Sequence, residues 1–362
     1  MTSLFDPARI GDIPTTNRVV MAPLTRNRAG AGLVPTDLAV EYYRQRASAG
    51  LIVTEAAQVM AEGQGYLDTP GIHTPAQVAA WRKVTDAVHA EGGRIVIQLW
   101  HVGRISHISL LPGGQAPVSS TARNAGGKVF TKEGFVDTST PRALRADELP
   151  GIVEAYRHAA RCALDAGFDG VEVHAANGYL IDQFLRDSIN DRTDDFGGSI
   201  ENRTRFLVDV MNAVVGAIGA GRTGVRLSPV TPVNGAGQDS NPQAVFNRAV
   251  ERLAPLKLAF LHVVEGQTGG PRDVAPFDYE ALRTRYKAGH DAGAWMVNNG
   301  YNRQMAMDVV STGAADLVAF GRPFIGNPDL VHRLKEDKPL ASLNPKLLYG
   351  GGAEGYTDYP AL

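Results

Sequence analysis

"LPGIVEAYRHAARCALDAGFDGVEVHA" (149–175) contains, in one stretch, the unit from which this chain is built. Its first part has apolar residues at helical spacing and ends at Gly167, and glycine is a common helix stop. The short apolar segment "GVEVHA" (170–175) follows and predicts a buried strand. The same unit recurs along the 362 residues, so the sequence predicts an α/β fold in which strands and helices alternate around a parallel sheet.

Eight segments of the chain have the pattern of short buried strands. They are "NRVVMAP" (17–23), "GLIVTEA" (50–56), "RIVIQLW" (94–100), "GVEVHA" (170–175), "TGVRLSP" (223–229), "AFLHVVE" (259–265), "AWMVNNG" (294–300) and "LVAFGRP" (317–323). Eight such units favour closure into a (β/α)₈ TIM barrel. A dinucleotide-binding open sheet is disfavoured because no strand is followed by G-x-G-x-x-G. We therefore predict a single barrel domain over residues 1–362.

Two segments go beyond a minimal barrel. "LFDPARIGDIPTTN" (4–17) precedes the first strand and predicts an N-terminal hairpin or plug at the bottom of the barrel. Residues 102–147 form a long insertion after the third strand, rich in Gly, Pro, Ser and Thr. Loops after barrel strands surround the catalytic mouth, so this insertion is expected to form part of the rim of a site.

Composition excludes several classes of function. Lys plus Arg is 36 and Asp plus Glu is 38, with no run of like charge, which argues against a nucleic-acid or anionic-membrane partner. The N-terminus lacks a signal-peptide core and no apolar stretch approaches ~18 residues, so a cytoplasmic location is expected. The single cysteine, Cys162, excludes an internal disulfide framework and is expected to be buried and inert. No metal site is predicted.

Three polar residues occupy corresponding places in neighbouring strands. Because side chains alternate along a strand, Gln98, His174 and Arg226 are predicted to face the barrel interior near the carboxyl ends of their strands. Taken alone, the histidine could be a hydrogen-bonded core residue and the arginine part of a structural ion pair. Their coincidence at one depth, where barrel enzymes place their sites, favours function.

The last two strands end in segments suited to binding phosphate. "NNG" (298–300) and "FGRPF" (320–324) offer glycines that allow close backbone approach, and Arg322 could add a bidentate contact. An ordinary tight turn is the alternative for the second segment. A phosphate on one side and a ring of donors and acceptors in the middle suggest flavin mononucleotide (FMN).

Six longer motifs resemble the old yellow enzyme family of flavin oxidoreductases, nearly from end to end. They are "MAPLTRNR" (21–28), "EYYRQRASAGLIVTEA" (41–56), "QLWHVGRISH" (98–107), "VEVHAANGYLIDQFL" (171–185), "NDRTDDFGGSIENRTRF" (190–206) and "YGGGAEGYTDYP" (349–360). Within that family, the bacterial N-ethylmaleimide and nitrate-ester reductases look most similar.

The resemblance implies a set of residues that hold FMN. Arg226 would lie near the flavin N1 and C2 carbonyl, where its fixed charge favours the anionic reduced ring. The other expected contacts are Pro23, Leu24, Thr25, Ala56, Gln98 and, through the backbone, Asn299, Gly300, Gly321 and Arg322.

The resemblance also assigns the reactive residues, which lie in "HAANGY" (174–179). His174 and Asn177 would donate hydrogen bonds to a carbonyl or nitro oxygen, and Tyr179 would protonate the α-carbon. Tyr66, Trp100 and Tyr349 are the other expected substrate contacts. One departure from the most similar relatives lies in "EGQTGGPRD" (265–273), where Gln267 and Thr268 occupy a loop that otherwise carries an aromatic residue.

The predicted function is that of a ping-pong ene-reductase with bound FMN and NADPH as reductant. Its substrates would be small activated alkenes such as enones and maleimides, with nitro compounds or nitrate esters as further candidates. The preference for NADPH over NADH is implied by the family alone. A monomer or weak homo-oligomer is expected. Two alternatives stay open: a phosphate-binding lyase or isomerase without flavin, and a non-catalytic flavin-binding protein.

Overall fold

The computed structural model describes residues 2–289 and 293–362. In chain order the strands are β1 (Ala8–Ile10), β2 (Ile13–Thr15), β3 (Val19–Met21), β4 (Leu51–Gln58), β5 (Ile95–Trp100), β6 (Val118–Ser119), β7 (Lys128–Thr131), β8 (Gly134–Asp137), β9 (Arg142–Ala143), β10 (Gly170–His174), β11 (Thr223–Leu227), β12 (Phe260–Val264), β13 (Ala294–Asn298) and β14 (Leu317–Phe320). The α-helices are α1 (Asp37–Arg44), α2 (Pro75–Ala90), α3 (Leu149–Asp165), α4 (Leu180–Leu185), α5 (Ile200–Ile218), α6 (Pro242–Leu253), α7 (Tyr279–Lys287), α8 (Arg303–Ser311), α9 (Arg322–Gly326) and α10 (Leu330–Lys335).

Strands β3, β4, β5 and β10 to β14 form one closed barrel in which every neighbouring pair is parallel. Seven of the eight predicted segments contain one of these strands, and the segment 50–56 overlaps β4, which extends to Gln58, so the predicted (β/α)₈ barrel is confirmed. Helix α2 begins with a capping box between Thr74 and Gln77. Among the described residues, no helix has the length and apolar character needed to cross a membrane.

Side-chain alternation divides each barrel strand between two hydrophobic clusters. In β5, Ile95, Ile97 and Leu99 pack outward with the helices, whereas Val96 belongs to the interior cluster. Ile10 and Ile13 of the β1–β2 hairpin also belong to that interior cluster, which confirms the predicted plug. The hydrophobic part of the barrel therefore fills its bottom half, and its polar residues lie toward the carboxyl ends of the strands.

The insertion after β5 folds into small sheets that reach the barrel mouth. Strands β7 and β8 form an antiparallel hairpin, and β6 pairs with β9. Val129 of the hairpin is fully buried and packs in one cluster with Ala56 and Trp100, which lie near the ends of their barrel strands. The expectation that the insertion forms part of a rim is borne out by this packing.

The C-terminal segment folds back onto the barrel around Tyr356. Its ring stacks on Tyr42 at a centroid distance of 4.2 Å, and the guanidinium groups of Arg26 and Arg28 lie 5.0 and 4.5 Å from its centroid. Arg26 also donates hydrogen bonds to the carbonyl oxygens of Leu348 (2.9 Å) and Gly355 (2.7 Å). These contacts hold residues 348–356 against the mouth of the barrel.

Replacing Tyr356 with alanine should destabilise the protein. The ring is fully buried, so its loss leaves a cavity and removes both the stacking and the cation–π contacts. We expect the free energy of unfolding to fall by about 3 kcal/mol, measured by urea denaturation. Phe135→Ala, at an exposed hairpin position, is the matched control and should change it by less than about 0.5 kcal/mol. Equal effects of the two substitutions would contradict this role of Tyr356.

Candidate active site

A cavity of about 570 Å³ opens at the carboxyl ends of the barrel strands, a volume typical of small-molecule and cofactor sites. It brings together every residue for which a site role was predicted except Tyr66. The predicted residues that line it are Pro23, Leu24, Thr25, Ala56, Gln98, Trp100, His174, Asn177, Tyr179, Arg226, Asn299, Gly300, Gly321, Arg322 and Tyr349.

Tyr66 lies behind the residues that line the cavity. Its hydroxyl is 3.1 Å from that of Tyr179, and its ring stacks on Trp100 at a centroid distance of 6.0 Å. Tyr66 thus contacts two lining residues rather than the cavity itself. Tyr349, by contrast, does line the cavity and is 60% exposed.

The chain after β10 turns sharply and brings three reactive side chains to one wall. Asn177 (φ 59°) and Gly178 (φ 74°) both adopt left-handed backbone, and a Cβ on Gly178 would lie 2.9 Å from the carbonyl oxygen of Val233. Asparagine tolerates this conformation and glycine fits the close approach. Tyr179 follows the turn, and its ring packs edge-on to His174 at 5.1 Å between centroids.

Burial sets the protonation states of this wall. Burial, together with the positive charge of Arg226 and the nearby His262, holds the pKa of His174 well below its usual value of 6.5, so its imidazole is neutral. Burial raises the pKa of Tyr179 above its usual 10, so its phenol is protonated. The Nδ1 atom of His174 is buried without a hydrogen-bond partner among the described residues. A neutral imidazole and a protonated phenol therefore face the same space.

Asn177 is held by contacts from three loops. Its backbone N–H donates to the Ser228 hydroxyl at 2.7 Å, and its carbonyl oxygen accepts from the Asn234 amide at 2.9 Å. Its side-chain oxygen accepts from the hydroxyl of Thr268 at 2.6 Å. Thr268, in the loop after β12, also lines the cavity.

Buried polar side chains form a layer at the base of the cavity, and only some of them were predicted from the sequence. Glu172 is fully buried and accepts hydrogen bonds from Gln98 Nε2 and His262 Nδ1, both at 2.7 Å. Arg226 donates to the side-chain oxygen of Asn298 at 2.8 Å. Glu172 and His262 were given no role from sequence, although each lies on the inward face of its strand. That inward position is the signal that could have identified them.

The residues of the cavity fit an FMN molecule. Arg226 has a buried Nε, and Trp100 a buried Nε1, with no partner among the described residues, so polar atoms are left for a ligand. At the end of β13, Asn299 (φ 104°) and Gly300 (φ 69°) adopt left-handed backbone. The exposed guanidinium of Arg322 makes no ion pair within residues 2–289 and 293–362, and it lines the same end of the cavity. These groups suit a planar ring at the centre and a phosphate at the edge.

A metal centre finds no support in the described part of the chain. No group of three or more His, Cys, Asp or Glu side chains is placed there to hold an ion. His262 and Glu172 instead satisfy each other by a hydrogen bond.

Comparison with known sequences identifies the family. The model of the NADH:flavin oxidoreductase / NADH oxidase family matches residues 3–341. Putative 12-oxophytodienoate reductase 11 of Oryza sativa subsp. japonica is 45% identical over 366 residues, covering 99% of this chain and 97% of that protein. 12-Oxophytodienoate reductase 2 of Arabidopsis thaliana is 41% identical over 366 residues, covering 99% and 96%.

Solved structures give the same result. The old yellow enzyme homologue from Zymomonas mobilis superposes with a TM-score of 0.95 at 46% identity and full coverage of both chains. Morphinone reductase in complex with tetrahydroNAD superposes with a TM-score of 0.93 at 46% identity, covering 100% of this chain and 98% of the other. The chain therefore belongs to the NADH:flavin oxidoreductase / NADH oxidase family, the flavoprotein oxidoreductases known as old yellow enzymes.

Proposed function

We propose that this protein is an FMN-dependent ene-reductase that uses NADPH to reduce activated carbon–carbon double bonds. The observation that carries the proposal is the convergence of His174, Asn177 and Tyr179 on one wall of the cavity. Two of these groups can donate to an oxygen and the third is an acid, which is the set that reduction of an unsaturated carbonyl compound requires.

The ring of FMN would be held by Arg226, Gln98 and Ala56. It would also contact Pro23, Leu24 and Thr25. The backbone at Asn299, Gly300, Gly321 and Arg322, together with the Arg322 guanidinium, would hold the phosphate. When bound, FMN would supply the hydride-transfer chemistry between the nicotinamide and the substrate. The protein's own part is to bind and orient the substrate and to supply a proton.

His174 and Asn177 would bind the carbonyl oxygen of the substrate. Negative charge grows on that oxygen as hydride reaches the β-carbon, so two placed donors stabilise the transition state more than the ground state. A neutral imidazole is a suitable donor because its burial costs less than that of an imidazolium beside Arg226. The carbonyl oxygen is thereby fixed before the reaction begins.

Tyr179 would protonate the α-carbon. Its raised pKa keeps the proton on the phenol at neutral pH, and the enolate carbon that receives it is strongly basic. The Tyr66 hydroxyl, 3.1 Å from that of Tyr179, can stabilise the phenolate left behind by donating a hydrogen bond to it. Nitro compounds and maleimides offer comparable oxygens and are proposed substrates as well.

The names and the bound ligand of three similar proteins support this proposal. Morphinone reductase has been solved in complex with tetrahydroNAD, which supports a nicotinamide as reductant. The name 12-oxophytodienoate describes a compound with an oxo group and carbon–carbon double bonds. The proposed preference for NADPH over NADH is a finer statement, and it can be tested directly by comparing the two nucleotides.

The central test is a visible spectrum of the purified protein followed by NADPH consumption with 2-cyclohexenone. We expect a yellow protein, release of FMN on denaturation, and consumption of one NADPH for each enone reduced. A colourless protein that consumes no NADPH would sink the proposal and favour a phosphate-binding lyase or isomerase. A yellow protein that is inert toward enones, maleimides and nitro compounds would favour a non-catalytic flavin protein.

Tyr179→Phe should slow alkene reduction by roughly 100-fold or more, because it removes the proposed acid. The reduction of bound flavin by NADPH needs no such proton, so its rate should change far less. Stopped-flow measurement of the two half-reactions separates these effects. Tyr66→Phe is the matched control and should cause a much smaller loss. Equal slowing of both half-reactions in Tyr179→Phe would rule out the role of proton donor.

The rate of alkene reduction should be independent of pH from about 7 to about 9. The pKa of Tyr179 is raised above 10, so its proton is retained over a wider range than in water, and the neutral His174 gains no charge in this interval. Loss of rate is expected only above about pH 10, where the phenol ionises. The measurement is the oxidative half-reaction of pre-reduced enzyme across this range. A steady decline between pH 7 and 9 would mean that another group supplies the proton.

A further inference from the structure

We propose that Thr268 is a positioning residue that fixes the side-chain amide of Asn177 with its NH₂ group toward the substrate oxygen. This inference rests on the proposed function, because it concerns the same oxygen-binding pair. It assigns a task to the loop after β12, which carries Thr268.

An asparagine used as a hydrogen-bond donor poses a problem that other donors do not. Its side chain ends in an oxygen and a nitrogen of nearly equal size, and a half-turn about the last bond exchanges them. Only the NH₂ group stabilises a developing negative charge, whereas the oxygen would repel it. Asn177 can therefore act as a donor only if something selects one of the two orientations.

The backbone of Asn177 is already fixed. Its N–H donates to Ser228 Oγ at 2.7 Å, and its carbonyl oxygen accepts from Asn234 Nδ2 at 2.9 Å. Its left-handed φ of 59° sets the direction in which the side chain leaves the turn. With the backbone held at both ends, the remaining freedom that matters is the orientation of the amide.

Thr268 supplies a donor for the amide oxygen in the orientation that turns the NH₂ group toward the cavity. Its hydroxyl lies 2.6 Å from Asn177 Oδ1, a short hydrogen bond in which the hydroxyl donates and the amide oxygen accepts. This leaves the two N–H groups of Asn177 for the cavity. In the opposite orientation, the amide oxygen would face the substrate oxygen, acceptor against acceptor, and the Thr268 hydroxyl would have to turn and accept from the NH₂ group instead. The substrate oxygen and the present hydrogen bond from Thr268 are therefore compatible with the same orientation.

Thr268 is itself held in place by the neighbouring loop after β11. Its backbone N–H donates to Thr231 Oγ1 at 3.3 Å, and the Thr231 hydroxyl donates to the carbonyl oxygen of Gly266 at 2.6 Å. Gly266 is anchored in turn by the Tyr279 hydroxyl, which accepts from its N–H at 2.8 Å. Because hydrogen bonds hold the loop at two points, Thr268 is kept in place beside the side-chain amide of Asn177.

The test uses binding of 4-chlorophenol, whose oxygen should occupy the same pair of donors and change the colour of bound FMN. Thr268→Val keeps the shape of the side chain and removes the hydroxyl, while Thr268→Ser keeps the hydroxyl. We expect the Kd of 4-chlorophenol to rise roughly fivefold to tenfold in Thr268→Val, the effect of one lost hydrogen bond. In Thr268→Ser it should stay within about twofold, since the bond is retained.

A double-mutant cycle with Asn177→Ala shows whether Thr268 acts through the amide. In the Asn177→Ala background, Thr268→Val should cause no further loss of affinity, because no amide remains to be oriented. A merely structural role in the loop would give the same loss in both backgrounds and would overturn the proposal. So would a Thr268→Val variant that binds the phenol as tightly as the unaltered protein.

The unaltered protein separates this inference from the proposed function. If it binds FMN, reduces 2-cyclohexenone and changes colour with 4-chlorophenol, only the role of Thr268 depends on the variants. If it shows neither bound FMN nor enone reduction, the proposed function fails and this inference fails with it. We expect the unaltered protein to bind FMN, reduce 2-cyclohexenone and change colour with 4-chlorophenol. We expect the Thr268→Val variant to bind the phenol more weakly and to have a higher KM for enones.

Discussion

A carboxylate buried in the middle of the barrel is the constraint on which the rest of the site depends. Glu172 has no exposed surface, so both of its oxygens must find donors inside the protein. Gln98 Nε2 and His262 Nδ1 fill that need at 2.7 Å each, and the guanidinium of Arg226 lies near enough to interact electrostatically with Glu172. Removing any partner would leave a buried charge uncompensated, which makes this layer intolerant of rearrangement.

The hydrogen bonds to Glu172 also determine which donor and acceptor groups the polar layer presents to the cavity above it. Because the amide nitrogen of Gln98 is engaged below, its amide oxygen is left as an acceptor. Because Arg226 shares only one of its nitrogens with Asn298, its Nε is left as a buried donor. A single internal charge thus produces a surface with a defined pattern of donors and acceptors. That pattern suits a heteroaromatic ring, whose edges alternate in the same way.

The positions of side chains on the barrel strands could be predicted from sequence, because side chains alternate between the two faces of a strand. Contacts between loops could not be predicted in this way. Strand periodicity was sufficient to place Gln98, His174 and Arg226 inside the barrel. It could not reveal that Glu172 and His262 bond to each other, since pairing across the barrel depends on strand register. Nor could it show that Tyr66 lies behind Tyr179 or that Thr268 reaches Asn177, because loop conformations are set by tertiary contacts. The sequence marked the loop after β12 as unusual, but its task became visible only from the distance between two side chains.

This difference between strands and loops bears on how substrate range can vary while the chemistry stays the same. The donors and the acid are held by β10 and its turn, and the polar layer beneath them by strands closed into a barrel. The walls opposite come from the loop after β12 and from the C-terminal segment, where Tyr349 is 60% exposed and is held in place through Arg26 and Tyr356. Substitutions in those walls cost little buried surface, so they can change the shape of the cavity without disturbing Glu172. Thr268 is the exception, since its hydroxyl connects the variable wall to the reactive one. In this chain, a change at that position would alter the substrate pocket and, through the hydrogen bond to Asn177, the orientation of a donor together.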